Sequence, residues 1–458
     1  MPRALDHGIW RSADFLGDGS LKGCLWLFRQ RSGLTHGGLA CYCIHDTGLN
    51  EFIGGKNKYP KEREVTRYRI VIAGAGIGGL TAAANLLKAG HDVTIFEQAS
   101  ELSEVGAGLQ LSANATHVLH HLGLGAPLAK VGVRPGAYVF RLHDTGEEIH
   151  RFALSHEHEQ LHGAPYYQVH RADVHTLLAA KVLELRRDAI RLNCRVVGFD
   201  ESGDNVRLRL ADGSIVQGDL LVGADGLKSV ICQQIAGNVP ATYTGDAAWR
   251  ITVPVERLPQ DFMEQVMMVW MGPGRHVVAY YLRAGTLLNF VGLVETDEVS
   301  EESWTAKFPW ERFKADFQGW HADVRTIIDA ADKEGCYRWS LHYRPAIRNW
   351  STRRATLLGD AVHPTLPYLA QGACMAIEDG AVLTRALDQA DSIPDALQLY
   401  QRNRVDRTVR IVNQSTANRM LFHLRTVDEI RALFAKRDEG ADRNAWLYSY
   451  NPLTVKLV

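Results

Sequence analysis

The sequence predicts an α/β fold in which a parallel sheet is interrupted by a second, mainly antiparallel sheet and followed by C-terminal helices. Three observations carry this. A glycine-rich turn joins a short apolar strand to a helix at residues 67–80. Two later apolar strands end in Gly and Asp, at Asp219–Gly226 and Arg354–Asp360. Between them, residues 236–345 show the alternating, tryptophan-rich texture of antiparallel strands. The bulk numbers are those of a globular chain of two or three domains: 458 residues, 46% apolar and 22% charged. Lys+Arg 51 against Asp+Glu 52 argues against a nucleic-acid or anionic-membrane partner. No apolar run reaches the roughly 18 residues of a membrane span.

Residues 1–65 precede the first nucleotide-type strand and mix Gly, aromatic and charged residues without sustained periodicity. Two readings stand: an appended, poorly ordered or peripheral extension, or an upstream region translated through a misassigned start. Seven cysteines, at 24, 41, 43, 194, 232, 336 and 374, are too sparse for a disulfide framework and point to a reducing, cytoplasmic compartment. Cys41, Cys43 and His45 alternate as on one strand face. Zinc needs a second ligand pair, which is not evident, so no metal site is expected.

Ile70–Ala73 reads as a buried strand, and Gly74, Gly76 and Gly79 follow in G-x-G-x-x-G spacing. The first glycine permits the turn, the second lets backbone approach a pyrophosphate, and the third lets helix and strand pack closely. The helix N-terminus offers free N–H groups to phosphates. A second strand, Asp92–Phe96, ends on Glu97, 23 residues after Gly74, where a carboxylate meets ribose hydroxyls. That carboxylate repels a 2′-phosphate, so the bound dinucleotide is FAD or NAD rather than NADP.

Downstream, Gly106 and Gly108 permit close backbone approach, and Ser112 or Asn114 suits the cap of a helix over 115–122. Residues 137–153 read as a hairpin turning at Asp144-Thr145-Gly146, and Arg171 precedes a helix over 173–186. Residues 190–222 read as a β-meander whose first strand runs from Arg191 to Gly198 and which turns at Asp212-Gly213. Helices are expected at 308–318, 321–332, 372–389, 394–423 and 426–437. The arginines at 402, 404, 407 and 410 read as a solvated helix face, and His363 beside Pro364 as a structural histidine.

Three motifs now stand in order: Gly74-Ala75-Gly76-Ile77-Gly78-Gly79, Gly223-Ala224-Asp225-Gly226, and Gly359-Asp360-Ala361-Val362-His363-Pro364. Together they resemble the class A flavoprotein monooxygenases, the single-component FAD-dependent aromatic hydroxylases with the p-hydroxybenzoate hydroxylase fold. Tyr243–Arg250 and Leu366–Asp379 resemble the salicylate hydroxylase branch, which includes 6-hydroxynicotinate 3-monooxygenase. The resemblance covers roughly residues 67–450 and implies FAD, with NADH or NADPH as reductant. It implies a Rossmann-type FAD domain over 66–136, 166–235 and 350–390, and a substrate domain over 137–165 and 236–349. Residues 391–458 form a C-terminal helical region.

The implied activity is hydroxylation of a small phenolic or aromatic-acid substrate by O2 through a flavin C4a-hydroperoxide, in a monomer or homodimer. The implied cofactor residues are Gly74, Gly76, Gly79, Glu97, Gly108, Arg171, Asp225, Asp360, Gly372 and Ala373. Asp360 would meet ribityl or pyrophosphate-side hydroxyls, Arg171 would lie near the flavin, and the helix opening at Gly372-Ala373 would face its pyrimidine ring. Arg250, Trp249 and Tyr368 are the candidate catalytic residues, and Tyr281 joins them as a candidate substrate contact. For Arg250, a substrate carboxylate and a structural ion pair are both open. The usual D-G-x-x-S-x-x-R continuation keeps Ser229 but carries Cys232 in place of the basic residue. The rival readings are an FAD enzyme for a larger secondary metabolite, an NAD-dependent dehydrogenase, and a GDP-dissociation-inhibitor-like escort protein.

Overall fold

The computed structural model describes residues 66–102, 107–299, 306–435 and 444–458, with four two-residue strands nearer the N-terminus. The chain forms two units, Met1–Glu64 and Val65–Val458. In the first, Asp14–Phe15 pairs with Leu21–Lys22 and Ile44–His45 with Gly48–Leu49, both antiparallel. The Cys41, Cys43 and His45 side chains, and the order of the extension, lie outside the described residues.

The second unit holds the two predicted sheets. Five parallel strands run in the order Ile190–Arg191, Asp92–Phe96, Arg69–Ala73, Leu220–Gly223, Ala355–Leu357. Ile70 to Ala73 and Leu220 to Val222 are fully buried, as continuous apolar runs in a two-face-covered sheet require. Helices Ile77–Lys88 and Gly372–Gln389 cross closely at Gly380, where a Cβ would stand 2.8 Å from the Ala82 nitrogen. The second sheet has seven strands, in the order Tyr337–Tyr343, Thr242–Pro254, Leu287–Glu295, Arg275–Leu282, Met267–Gly272, Ala137–Leu142, Glu148–Ala153. All its pairs are antiparallel except Met267–Gly272 with Ala137–Leu142. One face buries Trp249, Trp270 and Phe290 against helices Trp310–Asp316 and Ala322–Asp329. No helix among the described residues is long and apolar enough to cross a membrane.

Two expectations fail for identifiable reasons. The single strand expected over 191–198 is two. Ile190–Arg191 edges the parallel sheet, and Val196–Ser202 opens a three-stranded meander with Asn205–Leu210 and Ile215–Gly218. Between them Asn193 turns to φ 57° and its N–H donates to Ala99 O at 3.0 Å. Asparagine tolerates that left-handed conformation. The arginine row on helix Ile393–Phe422 is not a solvated face. Arg402 and Arg410 are exposed, but Arg404 is fully buried and Arg407 largely so, both paired with Glu378.

Candidate active site

A cavity of about 940 Å³ is walled on one side by the ends of the parallel strands and on the other by the inner face of the seven-stranded sheet. The glycine turn shapes the first wall. At Gly74, with φ 100°, a Cβ would stand 2.4 Å from Ala224 O, and at Gly79 it would stand 2.1 Å from Gly74 O. These two glycines let strand, turn and helix close on one another. Gly76 differs: it lines the cavity and a Cβ there meets nothing within 4 Å. It is the N-cap of helix Ile77–Lys88, with no side-chain cap on the first-turn N–H groups. Helix Gly372–Gln389 also opens on the cavity without a side-chain cap, at Gly372 and Ala373. Two uncapped helix N-termini on one chamber make an electropositive cradle suited to phosphate and to anionic ring atoms.

Asp360 and Arg171 line the same cavity. Asp360 Oδ1 lies 4.0 Å from where a Gly372 Cβ would be. Gly108 lines it too; its N–H donates to Asn289 Oδ1 at 2.8 Å, and a side chain there would strike the Tyr280 ring. Glu97 sits at the end of strand Asp92–Phe96, where its two carboxylate oxygens accept Ala75 N–H at 2.8 Å and Ala99 N–H at 2.9 Å. Asp225 needs correction as a cofactor contact. Its carboxylate is turned onto the next helix, accepting from Ser229 Oγ at 2.5 Å and Val230 N at 2.8 Å. Ala224, Gly226 and Leu227 line the cavity beside it.

On the sheet wall, strand alternation decides which residues face inward. Arg250 is partly buried and cavity-lining, with its guanidinium 4.3 Å from the Trp339 ring centroid. Burial pushes its pKa down to about 10; the Tyr280 phenol opposes that shift and Arg171 adds to it. Trp249 is corrected by the same alternation that turns Arg250 to the cavity. One residue earlier on the strand, it points to the opposite face, packs on Phe313 and donates its indole N–H to Asp316 at 2.7 Å. Tyr281 likewise lies in that outer core, and its neighbour Tyr280 takes the cavity position. Burial raises the Tyr280 pKa to about 12. Tyr368 lines the cavity but donates its hydroxyl to Asp246 at 2.5 Å, beside Arg419.

Sequence reading missed His276 and the His158–His162 pair, all cavity-lining. His276 had a usable signal, since it shares parity with Val278 and Tyr280 on strand Arg275–Leu282. His158 and His162 lie on a short polar helix, Ser155–His162, that carries no apolar period.

Behind the cradle, Asp379 accepts Gly359 N–H at 2.9 Å, His363 Nε2 at 2.7 Å and Arg404 Nε at 2.7 Å. The Gly359-Asp360 turn is thereby tied to helix Gly372–Gln389 and, through Arg404, to helix Ile393–Phe422.

Residues 67–415 match the family described as an FAD binding domain. The chain is 37% identical over 395 residues to 3-amino-4-hydroxybenzoate 2-monooxygenase PtnB3 of Streptomyces platensis, covering 85% of this chain and 98% of that protein. It is 36% identical to 3-hydroxybenzoate 6-hydroxylase of Polaromonas naphthalenivorans, with 83% and 96% covered. It is 34% identical to 6-hydroxynicotinate 3-monooxygenase of Bordetella bronchiseptica, with 77% and 92% covered. The crystal structure of Klebsiella pneumoniae HpxO complexed with FAD and uric acid superposes with a TM-score of 0.71 at 26% identity, over 81% of this chain and 93% of that one. Dehydrogenase and escort-protein readings are set aside by these matches. The protein belongs to the FAD-binding-domain family and is an FAD-dependent monooxygenase of the aromatic hydroxylase kind.

Proposed function

We propose that this chain hydroxylates a small aromatic substrate carrying a ring hydroxyl and a carboxylate, with NAD(P)H as reductant. One observation carries the reading: a single chamber joins the phosphate-type cradle at Gly76 to the partly buried Arg250 and the buried Tyr280. In this reading residues 66–136, 166–235 and 350–390 form the FAD domain, and 137–165 with 236–349 the substrate domain. Bound FAD supplies the activation of O2 and the transfer of one oxygen atom to the ring.

The residues supply position, charge and dryness. Gly76 leaves room for the pyrophosphate, with the uncapped N–H groups of helix Ile77–Lys88 aimed at it. Asp360 and Arg171 stand on the wall to hold hydroxyl and phosphate groups. The N–H groups at Gly372 and Ala373 favour negative charge on the reduced ring. Arg250, stacked 4.3 Å from the Trp339 ring centroid, presents a cation to the substrate carboxylate. Val291, Leu293 and Leu366 make an apolar lining around the ring.

A screen of hydroxybenzoates and hydroxypyridine carboxylates tests this, reading stimulated NAD(P)H oxidation together with product mass. The expected result is a yellow protein releasing FAD on denaturation and, for at least one acid, a product heavier by one oxygen atom. A protein that cannot be loaded with FAD, or one that oxidises NAD(P)H without adding oxygen to any member, rejects the reading.

A further inference from the structure

We propose that Asn114 and Ser112 are positioning residues that hold the N-terminus of helix Gly372–Gln389 against the flavin, and so set how strongly reduced flavin is favoured over oxidised. This rests on the reading above, in which that helix end faces the ring.

Two N-cap residues turn away from their own helices. Ser112 precedes helix Ala113–His121 and Gln371 precedes helix Gly372–Gln389, yet neither side chain caps its helix. A serine at that position ordinarily accepts a bond from a first-turn N–H. Here the two side chains meet each other instead, with Gln371 Nε2 donating to Ser112 Oγ at 3.0 Å. Asn114 closes the ring. Its Nδ2 donates to Gln371 Oε1 at 3.0 Å, and its Oδ1 accepts from Ser112 Oγ at 2.5 Å.

A buried charge fixes the direction of every bond in this ring. Asn114 Nδ2 also donates to Glu378 Oε1 at 2.5 Å. The Glu378 oxygens accept from Arg404 Nη1 at 2.6 Å and from Arg407 Nε and Nη2 at 2.8 and 2.7 Å. Burial works to raise the Glu378 pKa, but the Arg407 and Arg404 guanidiniums outweigh it and hold the carboxyl below its ordinary range. An ionised carboxylate only accepts hydrogen bonds, so the Asn114 atom beside it is the amide nitrogen. The Asn114 oxygen then faces Ser112 and takes the serine proton. Gln371 is left to donate to the serine oxygen and to accept from Asn114. Ser112, Asn114, Gln371 and Glu378 are each 2% exposed or less, so water does not compete for these bonds.

The ring clamps two walls of the chamber together. Strand Gly108–Leu111, which leads directly into Ser112, lines it with Leu109 and Gln110; Gln371, Gly372 and Ala373 line it from the other side. The residue before Gln371 shows why a clamp is needed. Ala370 has φ 52° and ψ 36°, a left-handed conformation that costs a residue with a Cβ. Such a conformation persists where its surroundings over-determine it. Upstream, Ser415 Oγ donates to Leu366 O at 2.6 Å and the Tyr368 hydroxyl is fastened to Asp246. Downstream, the fastening is the ring at Gln371. Cutting it lets the turn relax and draws the Gly372 and Ala373 N–H groups back from the cavity. Those groups favour negative charge, so their retreat weakens binding of reduced FAD more than of oxidised FAD.

The test is the flavin reduction potential of the FAD-loaded protein, measured by equilibrium reduction against a redox dye, for wild type, Asn114→Ala and Ser112→Ala. Asn114→Ala removes two links of the ring and the link to Glu378. It is expected to cut the preference for reduced over oxidised FAD at least about tenfold, which for a two-electron couple is a potential about 30 mV more negative. Ser112→Ala leaves Asn114 bonded to both Gln371 and Glu378 and removes no helix cap. A shift in the same direction, about half as large, is expected there. A role confined to folding would weaken oxidised and reduced FAD alike and lower the melting temperature without FAD, leaving the potential in place. Circular dichroism and the FAD-free melt establish that each variant is folded. A wild-type potential in either folded variant overturns the proposal. If Asn114→Ala does not fold, Ser112→Ala decides alone. A wild-type chain that takes up no FAD brings down the function reading together with this inference.

Discussion

The three glycines of the nucleotide turn look equivalent in the sequence but answer to different constraints. Gly79 is required by the protein itself, because a Cβ there would stand 2.1 Å from Gly74 O. Gly76 has open space around its Cβ position and an ordinary φ of −70°, so only a ligand needs it bare. Gly76→Val is therefore expected to leave thermal stability without FAD unchanged and to weaken FAD binding at least about tenfold, or about 1.4 kcal/mol. Gly79→Ala is expected to destabilise the FAD-free protein by about 1–3 kcal/mol or more through overpacking. Flavin fluorescence titration and thermal melts on the two variants separate the roles; equal losses of stability would reject the distinction. The spacing announced the turn because glycine is the residue type that such close approach demands. Parity on the second sheet was less legible. Alternation says that Trp249 and Arg250 point opposite ways, but only the packing of Trp310–Asp316 on one face says which way is inward. Tyr280 and Tyr281 exchanged roles for the same reason.

Among the elements, helices Gly372–Gln389 and Ile393–Phe422 were placed almost residue for residue, since their lengths and caps are local. Their union was not legible, because it consists of buried charges that resemble surface charges in a sequence. Glu378 and Asp379 are fully buried and meet Arg404 at 2.6 and 2.7 Å. Burial alone would raise the Asp379 pKa, but the His363 and Arg404 charges outweigh it and hold the group at about 2. A carboxylate depressed in the folded state stabilises the fold above its unfolded pKa, near 3.9, and loses that contribution as pH falls toward 2. The expected loss is about 2 kcal/mol across that window. Chemical denaturation at a series of acidic pH values should show this slope, and Asp379→Asn should flatten it while lowering stability at neutral pH. An unchanged slope in the variant would show that acid lability arises elsewhere. The same variant loosens the acceptor of Gly359 N–H, so FAD affinity is expected to fall with it.

At the scale of the molecule, the chamber exists because two sheets built from interleaved stretches of chain face each other across it. Interruption of the parallel sheet was visible in the sequence, since Leu220–Gly223 ends on Gly, Ala355–Leu357 runs into the Gly359-Asp360 turn, and both lie far from Arg69–Ala73. The strand order was not visible: parallel pairing joins segments distant in sequence, and no local signal records it. Among the described residues, every strand of both sheets and every cavity-lining residue lies in the unit Val65–Val458. The FAD-binding family match begins at residue 67, and the Streptomyces platensis relative aligns over 98% of its own length while covering 85% of this chain. The family match and both described sheets thus begin after the first sixty residues. Removing residues 1–60 is therefore expected to leave the FAD-to-protein ratio, the melting temperature and the rate of substrate-stimulated NAD(P)H oxidation within error of the full chain. Flavin absorbance against protein concentration measures the first, and a thermal melt the second. A shortened chain that stays folded but loses FAD would show that FAD binding needs the extension. One that loses its cooperative melt would show that folding of the remainder needs the extension.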